Sequence, residues 1–164
     1  METLFALSND DVAVTTDDAY TPKWVFDAMG LHFDLDVAAP VTGPWHVPCD
    51  GWLSPVEDGL TAPWDGLVWC NPPYSNVGPW AARWAAHPTG VLLVTYTPGT
   101  SWVAPTLAAA DAVAFVTVEF ARVDAPPIRP MPGLFAAFRG VGVEPAERLA
   151  AADRFGAVLY GRAA

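Results

Sequence analysis

The stretch Leu67-Val68-Trp69-Cys70-Asn71-Pro72-Pro73-Tyr74 joins an apolar run to two prolines and an aromatic residue. An apolar run of this length is typical of a buried strand in a parallel sheet. Proline cannot continue the hydrogen-bond ladder, so we expect the chain to leave the sheet at Asn71. In open α/β sheets, ligands bind beyond the carboxyl ends of the strands, and the stretch therefore predicts a functional site at this point.

Segments typical of helices and strands alternate on both sides of this stretch. Thr21 and Pro22 are expected at the N-cap and the first position of a helix, and Thr100 or Ser101 is expected to cap another. Residues 40–66 are rich in proline and glycine and are predicted to be mostly irregular. The alternation predicts a parallel α/β sheet with an antiparallel finish. The other predicted elements are strands at 33–38, 90–96, 112–118, 134–138 and 157–160, with 112–118 and 134–138 paired around 119–132, and helices at 79–86 and near 145–155.

Length and composition favour one folded domain. At 164 residues, with 52% hydrophobic and 16% charged residues, the chain is long enough for one core and too short for two comfortable ones. We expect residues 1–19 to be a flexible acidic lead-in and residues 20–164 to form the domain. The sequence has no apolar run long enough for a membrane span, no signal-peptide pattern and only two cysteines, so a cytoplasmic location is expected.

The net charge of −10 is distributed unevenly along the chain. Residues 1–70 contain twelve acidic residues and a single basic one, Lys23, whereas residues 71–164 contain seven arginines and six acidic residues. Nonspecific binding of nucleic acids is largely electrostatic. We therefore expect any polyanion to meet the second half of the chain.

Two polar patterns leave alternatives open. Asp36 ends a predicted strand, where its carboxylate could accept hydrogen bonds from a ribose, pair with an ammonium group, or be satisfied by backbone N–H groups. His46 and Cys49 are potential metal ligands, but two ligands without a second pair are weak evidence for zinc. No metal site is expected.

Four segments together resemble the phage-type DNA N6-adenine methyltransferases. They are Tyr20-Thr21-Pro22, Asp36-Val37-Ala38-Ala39, Asp58-Gly59-Leu60 and Asn71-Pro72-Pro73-Tyr74, and the similarity covers roughly residues 20–140. The resemblance implies a Rossmann-like methyltransferase fold, with a mostly parallel sheet, an antiparallel C-terminal part and three layers in the order αβα. It also implies that S-adenosylmethionine is the methyl donor and that the N6 amine of adenine at specific sites in DNA is the acceptor.

The proposed catalytic residues are Asn71, Pro72, Pro73 and Tyr74. The lone pair of the adenine amine is delocalised into the ring, so two acceptors aimed at its N–H groups would favour a nucleophilic, pyramidal nitrogen. The side-chain oxygen of Asn71 and the carbonyl of Pro72 are the expected acceptors, and proline holds that carbonyl in place in advance. Tyr74 is expected to stack on the base, a contact of about 1–3 kcal/mol.

The cofactor residues follow from the resemblance. Tyr20, Thr21 and Pro22 correspond to the segment that binds the methionine end of the cofactor. The other expected contacts are Asp36 and Ala38 of the cofactor-binding loop, Asp58 at the cofactor's adenine amine, Leu60 beside its ring, and Asn71. The sequence departs from typical methyltransferases because no Gly-x-Gly turn follows Asp36, and Asp50 is the nearest candidate for the acid that binds the ribose.

The expected partner is double-stranded DNA with a flipped adenine, because a duplex hides the amine. The chain has no room for a separate recognition domain, so loops 40–56 and 119–132, with Arg122 and Arg129, are the predicted substitutes. If a phage encodes the protein, the host cytoplasm is its expected location, with protection from restriction, regulation or host mimicry as its role. Two alternatives stay open, namely the same motif acting on an RNA base or a protein glutamine, and a non-catalytic acidic DNA mimic.

Overall fold

The computed structural model describes residues 19–122, 125–128 and 131–161, and residues 1–18 of the expected lead-in lie outside them. The described chain forms a mixed sheet flanked by helices. The helices are α1 (Lys23–Met29), α2 (Val77–Ala86), α3 (Val103–Ala109) and α4 (Glu144–Ala152). The strands are β1 (Phe33–Asp36), β2 (Cys49–Trp52), β3 (Val68–Cys70), β4 (Gly90–Thr95), β5 (Ala112–Val118), β6 (Met131–Arg139) and β7 (Ala157–Tyr160).

The strands lie in the order β2-β1-β3-β4-β6-β5-β7. The first four are parallel, whereas β6 runs antiparallel to both of its neighbours and β7 antiparallel to β5. The predicted parallel sheet with an antiparallel finish is therefore confirmed, as is the pairing of β5 with β6. The insertion of β6 between β4 and β5 was not predicted.

Two hydrophobic cores fill the space between the sheet and its helices. α1 and α4 cover one face, and α2 and α3 cover the other. The alternation of side chains along β3 shows the division, because Trp69 belongs to the first core while Val68 and Cys70 belong to the second. The three-layer αβα architecture is thus confirmed, with β3 and β4 buried on both faces.

One strand was missed in the segment that was predicted to be mostly irregular. β2 is only four residues long, Cys49-Asp50-Gly51-Trp52, and pairs in parallel with β1 at the edge of the sheet. Its acidic residue and its glycine are poor strand formers, and its proline-rich flanks hide it further. Pairing with β1 makes this segment a strand against its local preference.

Both predicted threonine or serine caps are wrong. α1 has Pro22 at its N-cap position and begins at Lys23, with no side-chain cap bond. α3 has Trp102 in the corresponding position without a side-chain cap bond, and Thr100 donates its hydroxyl to the carbonyl of Thr97. The side chain of Thr21 is used elsewhere, in a contact with Asn71.

The register of β1 and β3 brings two of the predicted site segments together. Asp36 is the last residue of β1 and pairs with Trp69, one residue before the end of β3. The two parallel strands therefore release Val37 and Asn71 at the same edge of the sheet. Within residues 19–122, 125–128 and 131–161, no helix has the length and apolar character needed to cross a membrane.

Candidate active site

A cavity of about 340 Å³ lies beyond the carboxyl ends of β1 and β3, a volume in the range of small-molecule sites. It brings together eight of the residues that the sequence selected. They are Tyr20, Thr21, Asp36, Ala38, Asn71, Pro72, Pro73 and Tyr74. Residues more than 50 positions apart in the chain thus meet because parallel strands end at one edge.

Asn71 leaves the sheet directly after β3, as the two following prolines predicted. Its side-chain nitrogen donates a hydrogen bond to the hydroxyl of Thr21, with 3.2 Å between Nδ2 and Oγ1. Thr21 is only 5% exposed, so this hydroxyl is almost fully shielded from solvent. The donor end of the amide is occupied by this bond, and the carbonyl oxygen is the end that remains to accept from a ligand.

Asp36 brings a nearly buried carboxyl group to the same cavity, with 4% of the residue exposed. Its backbone is fixed on one side, since Leu53 N donates to its carbonyl at 2.8 Å. Burial raises the pKa of Asp36 to about 7, and the hydrogen bond from Ala38 N to Oδ1, at 3.1 Å, offsets this only partly. Such a carboxyl ionises at a cost, which a cationic ligand would offset.

Tyr74 opens a 3-10 turn, Tyr74–Asn76, immediately after the two prolines. Its ring is half-buried and contacts Phe120 edge to face, with 6.0 Å between ring centroids. Burial raises the pKa of Tyr74 above its ordinary value, and repulsion from Cys70 contributes less, so the phenol stays protonated. Pro72 is buried beside it while Pro73 is exposed.

A backbone bridge joins the first predicted segment to the chain beyond β5. Tyr20 N donates to the carbonyl of Ala121 at 2.8 Å, and Ala121 N donates back to the carbonyl of Tyr20 at 2.9 Å. The ring of Tyr20 meets Trp45 edge to face, and Trp45 in turn stacks on His46 with 4.4 Å between centroids. The rim of the cavity is therefore aromatic on the side of the loop between β1 and β2.

Asp58 and Leu60 lie outside the cavity lining, and so does Pro22. The exposed carboxylate of Asp58 accepts hydrogen bonds from Leu60 N and from the hydroxyl of Thr61, both at 3.1 Å, within its own turn. The central Gly59 has a steric reason to be glycine, because a Cβ there would overlap the carbonyl of Val37. This segment thus supports the end of β1, and the cofactor roles of Asp58 and Leu60 stay predictions from the resemblance.

The predicted DNA contacts fall at the edge of the described chain. Arg129 lies outside the described residues, whereas Arg122 is half-buried and follows the bridge at Ala121. The Nε atom of Arg122 is buried and has no hydrogen-bond partner within 19–122, 125–128 and 131–161. Of the other arginines, Arg83 and Arg139 donate to backbone carbonyls of neighbouring segments.

Several cavity residues were not selected from the sequence. Trp69 could have been selected from the alternation of side chains along β3. It is the one aromatic residue of this strand, and its two neighbours face the opposite core. Phe120 could have been selected as the apolar residue that directly follows β5. The remaining lining residues were not predicted individually. They are Ala19, Ala39 and seven residues of the predicted recognition loop 40–56, namely Pro40, Val41, Pro44, Trp45, His46, Val47 and Pro55.

Comparison with known proteins identifies the family of the chain. A family model described as DNA N-6-adenine-methyltransferase (Dam) matches residues 9–130. The DNA N-6-adenine-methyltransferase of Haemophilus phage HP1 (strain HP1c1) is 30% identical over 107 residues, which cover 59% of this chain and 60% of that protein. The matched region thus spans about three fifths of the curated relative, and no solved structure matches the chain. Since the family model covers well over half of the sequence, the chain belongs to the DNA N-6-adenine-methyltransferase family.

Proposed function

We propose that this protein transfers a methyl group from S-adenosylmethionine to the N6 amine of adenine in DNA. The observation that carries the proposal is the meeting of Asp36 and Asn71 in one cavity at the carboxyl ends of adjacent strands. Membership of the family implies the use of S-adenosylmethionine and DNA as substrates. In the cavity, a buried acid and an amide can then serve different substrates, the acid of Asp36 the cofactor and the amide of Asn71 the target base.

The residues around Asp36 fit the proposed cofactor in size and in charge. S-adenosylmethionine carries an ammonium and a sulfonium group, and a buried carboxyl whose pKa is raised to about 7 is stabilised as a carboxylate by such a cation. The cavity has the volume of a small-molecule site. Asp36 and Ala38, with Tyr20 across the cavity, would hold the cofactor, which when bound supplies an electrophilic methyl group.

Asn71 and Pro72 would activate the target amine. The side-chain oxygen of Asn71 and the backbone carbonyl of Pro72 can each accept one N–H of the amine, which favours a nitrogen with an available lone pair. Both acceptors are fixed before the base arrives, Asn71 by Thr21 and Pro72 by its ring and its burial. Holding the amine in line with the methyl group supplies much of the acceleration, and the chemistry requires no covalent intermediate.

The adenine would enter the cavity as an extrahelical base. An amine inside a duplex could not reach Asn71, because the cavity lies beyond a sheet edge and is rimmed by loops. Tyr74 would offer the exposed part of its ring to the base, while Phe120 holds the ring from the side.

Incubation with S-adenosylmethionine labelled in its methyl group tests the proposal. Plasmid DNA, total RNA and a protein extract are offered separately, and the DNA is digested to nucleosides for chromatography. We expect label on N6-methyladenine from DNA. Label that appears only in RNA or protein would overturn the proposal, as would the absence of transfer to every acceptor by a protein that binds the cofactor.

A further inference from the structure

We propose that Thr21 is a positioning residue, which orients the amide of Asn71 so that its oxygen faces the target amine. This inference rests on the proposed function, because it assigns a consequence to the acceptor role of Asn71. It differs from the role expected from the resemblance, in which Thr21 contacts the cofactor alone.

The amide of asparagine has two ends of similar size and opposite polarity. Turned by 180° about its last bond, Asn71 would present an NH₂ group to the N–H groups of the amine, so that two donors would face each other. In the structure the NH₂ end is bound to Oγ1 of Thr21 at 3.2 Å. In this arrangement the hydroxyl of Thr21 accepts from the amide and holds it with the oxygen available.

Thr21 is itself held on both sides. The preceding residue, Tyr20, forms a two-way backbone bridge with Ala121, and the following residue, Pro22, accepts a hydrogen bond from Val25 N in the first turn of α1. Thr21 is 5% exposed, so water competes little for its hydroxyl. A fixed and shielded hydroxyl can hold an amide in a way that a mobile surface side chain cannot.

The absence of a side-chain cap on α1 also supports a role of Thr21 in the site. Threonine before Pro-Lys is a favourable helix N-cap, yet the helix begins after Pro22 without any side-chain cap bond. A buried hydroxyl costs free energy unless it is hydrogen-bonded, and Asn71 provides that bond. The threonine thus contributes to the site and not to the helix end.

The test compares Thr21→Val, which keeps the shape and removes the hydroxyl, with Thr21→Ser, which keeps the hydroxyl. Single-turnover methylation is measured at saturating cofactor, and cofactor affinity is measured separately by titration calorimetry. We expect Thr21→Val to lower the rate roughly 10- to 100-fold, as misplacement of a reacting group does, with cofactor affinity little changed. Thr21→Ser should restore most of the rate, and thermal unfolding confirms that each variant is folded.

A double-mutant cycle separates action through Asn71 from a general loss of structure. In an Asn71→Ala background, Thr21→Val should cause little further loss of rate, since the group that it positions is already gone. A wild-type rate in Thr21→Val, or a loss of cofactor affinity that accounts for the whole rate loss, would overturn the inference.

A readout without activity keeps this inference distinct from the proposed function. The side-chain amide NMR signals of Asn71, assigned by their loss in Asn71→Ala, should shift in Thr21→Val and return close to their original positions in Thr21→Ser. If the wild type methylates no adenine but these shifts occur, the proposed function fails and the hydrogen bond still holds the amide. If the signals are identical in wild type and Thr21→Val, positioning by Thr21 is disproved whether or not the protein methylates DNA.

Discussion

Residues 19–76 bring a buried acid and a hydrogen-bonded amide to the cavity, whereas three of the five described arginines, Arg83, Arg139 and Arg148, bind neighbouring parts of the protein. Asp36 lies inside the protein with a raised pKa, and Asn71 is fixed by a hydrogen bond. The acid that lines the cavity is thus buried, and the bound arginines of the described chain connect parts of the fold. The net charge of a segment consequently does not locate a binding surface.

The arginines of the second half show this structural use. Arg83 donates to the carbonyls of Gly59 and Ala62 and lies over the ring of Trp64, 4.6 Å from its centroid. Arg148 bonds to Met29 O and to Glu144, both at 2.6 Å, and so ties α4 to the end of α1. Donors used in this way are not available to phosphates. Among the described arginines, the sequence linked Arg122 to DNA, and Arg122 lies two residues after Phe120 of the cavity lining.

The largest effect is expected from Asn71→Ala. Loss of a preorganised acceptor at the reacting group should lower the methylation rate about 10²- to 10³-fold, as removal of one oxyanion-hole donor does. Cofactor affinity, measured by calorimetry, should be largely retained, because the main contact of this side chain is with the target. Asn76→Ala is the matched control on the exposed turn that follows, and it should keep the wild-type rate. Near-normal methylation by Asn71→Ala would show that the Asn71 side chain is not an acceptor for the target amine.

The next effect concerns Asp36→Asn and the binding of a cationic cofactor. Truncating one member of a buried charge pair costs about 2–5 kcal/mol, so affinity should fall about 30-fold or more. In the wild type the carboxyl must lose its proton on binding, so affinity should rise with pH up to about 7 and then level off. Asp36→Asn should show no such rise, whereas Asp27→Asn on the exposed face of α1 should behave as wild type. Identical pH profiles for wild type and Asp36→Asn would place the cation elsewhere.

The same substitution should stabilise the protein without its cofactor. The folded-state pKa of Asp36 is raised from 3.8 to about 7, so its stabilising contribution is fully present below 3.8 and is lost as the pH rises through 7. Asparagine keeps the hydrogen bond from Ala38 N and has no charge to bury. The unfolding temperature of Asp36→Asn should exceed that of wild type at pH 8, by more than it does at pH 5. The opposite order at pH 8 would mean that Asp36 has a compensating partner in the free protein.

The central elements and the position of the cavity were predictable because their signals are local. The apolar runs of β3, β4 and β5 have the length and flanks of buried strands, and two prolines after Asn71 mark the end of β3. That Asp36 and Asn71 meet follows from parallel strands ending together, once both strands are recognised. The family could be predicted although parts of the packing could not, because four short segments of the sequence were enough to indicate it.

The predictions that failed concern features that depend on contacts between distant parts of the chain. β2 is a strand because β1 lies beside it, and its four residues show little preference for extended structure. Thr21 satisfies the local pattern of an N-cap, but Asn71, fifty residues later, binds its hydroxyl. The aromatic rim at Trp45 depends on a loop that brings this side chain to Tyr20, and no periodicity in a proline-rich segment reveals that contact.

A smaller effect, confined to stability, is expected from Arg83→Met. The substitution keeps much of the apolar stem but leaves the carbonyls of Gly59 and Ala62 without their donor, at a cost of about 1–3 kcal/mol in the free energy of unfolding. Urea denaturation measures this cost. Arg154→Met is the matched control, because Arg154 is exposed and lies over the ring of Phe155 without a hydrogen bond or ion pair to another described residue. It should change stability by less than about 0.5 kcal/mol. Equal effects of both substitutions would contradict the structural use of Arg83.

The smallest effect is expected from Arg122→Ala, measured as affinity for duplex DNA over a range of salt concentrations. If Arg122 binds a phosphate, the substitution should weaken DNA binding only a few-fold and reduce the slope of log affinity against log salt by about one. Arg154→Ala, an exposed arginine outside the cavity lining, should leave that slope unchanged. An unaltered slope in Arg122→Ala would leave the arginine a structural role like that of Arg83, and the aromatic rim around Trp45, 46% exposed, would become the next surface to test. Since stacking on a base releases no counterions, a rim contact would be recognised by a loss of affinity in Trp45→Ala with the slope intact.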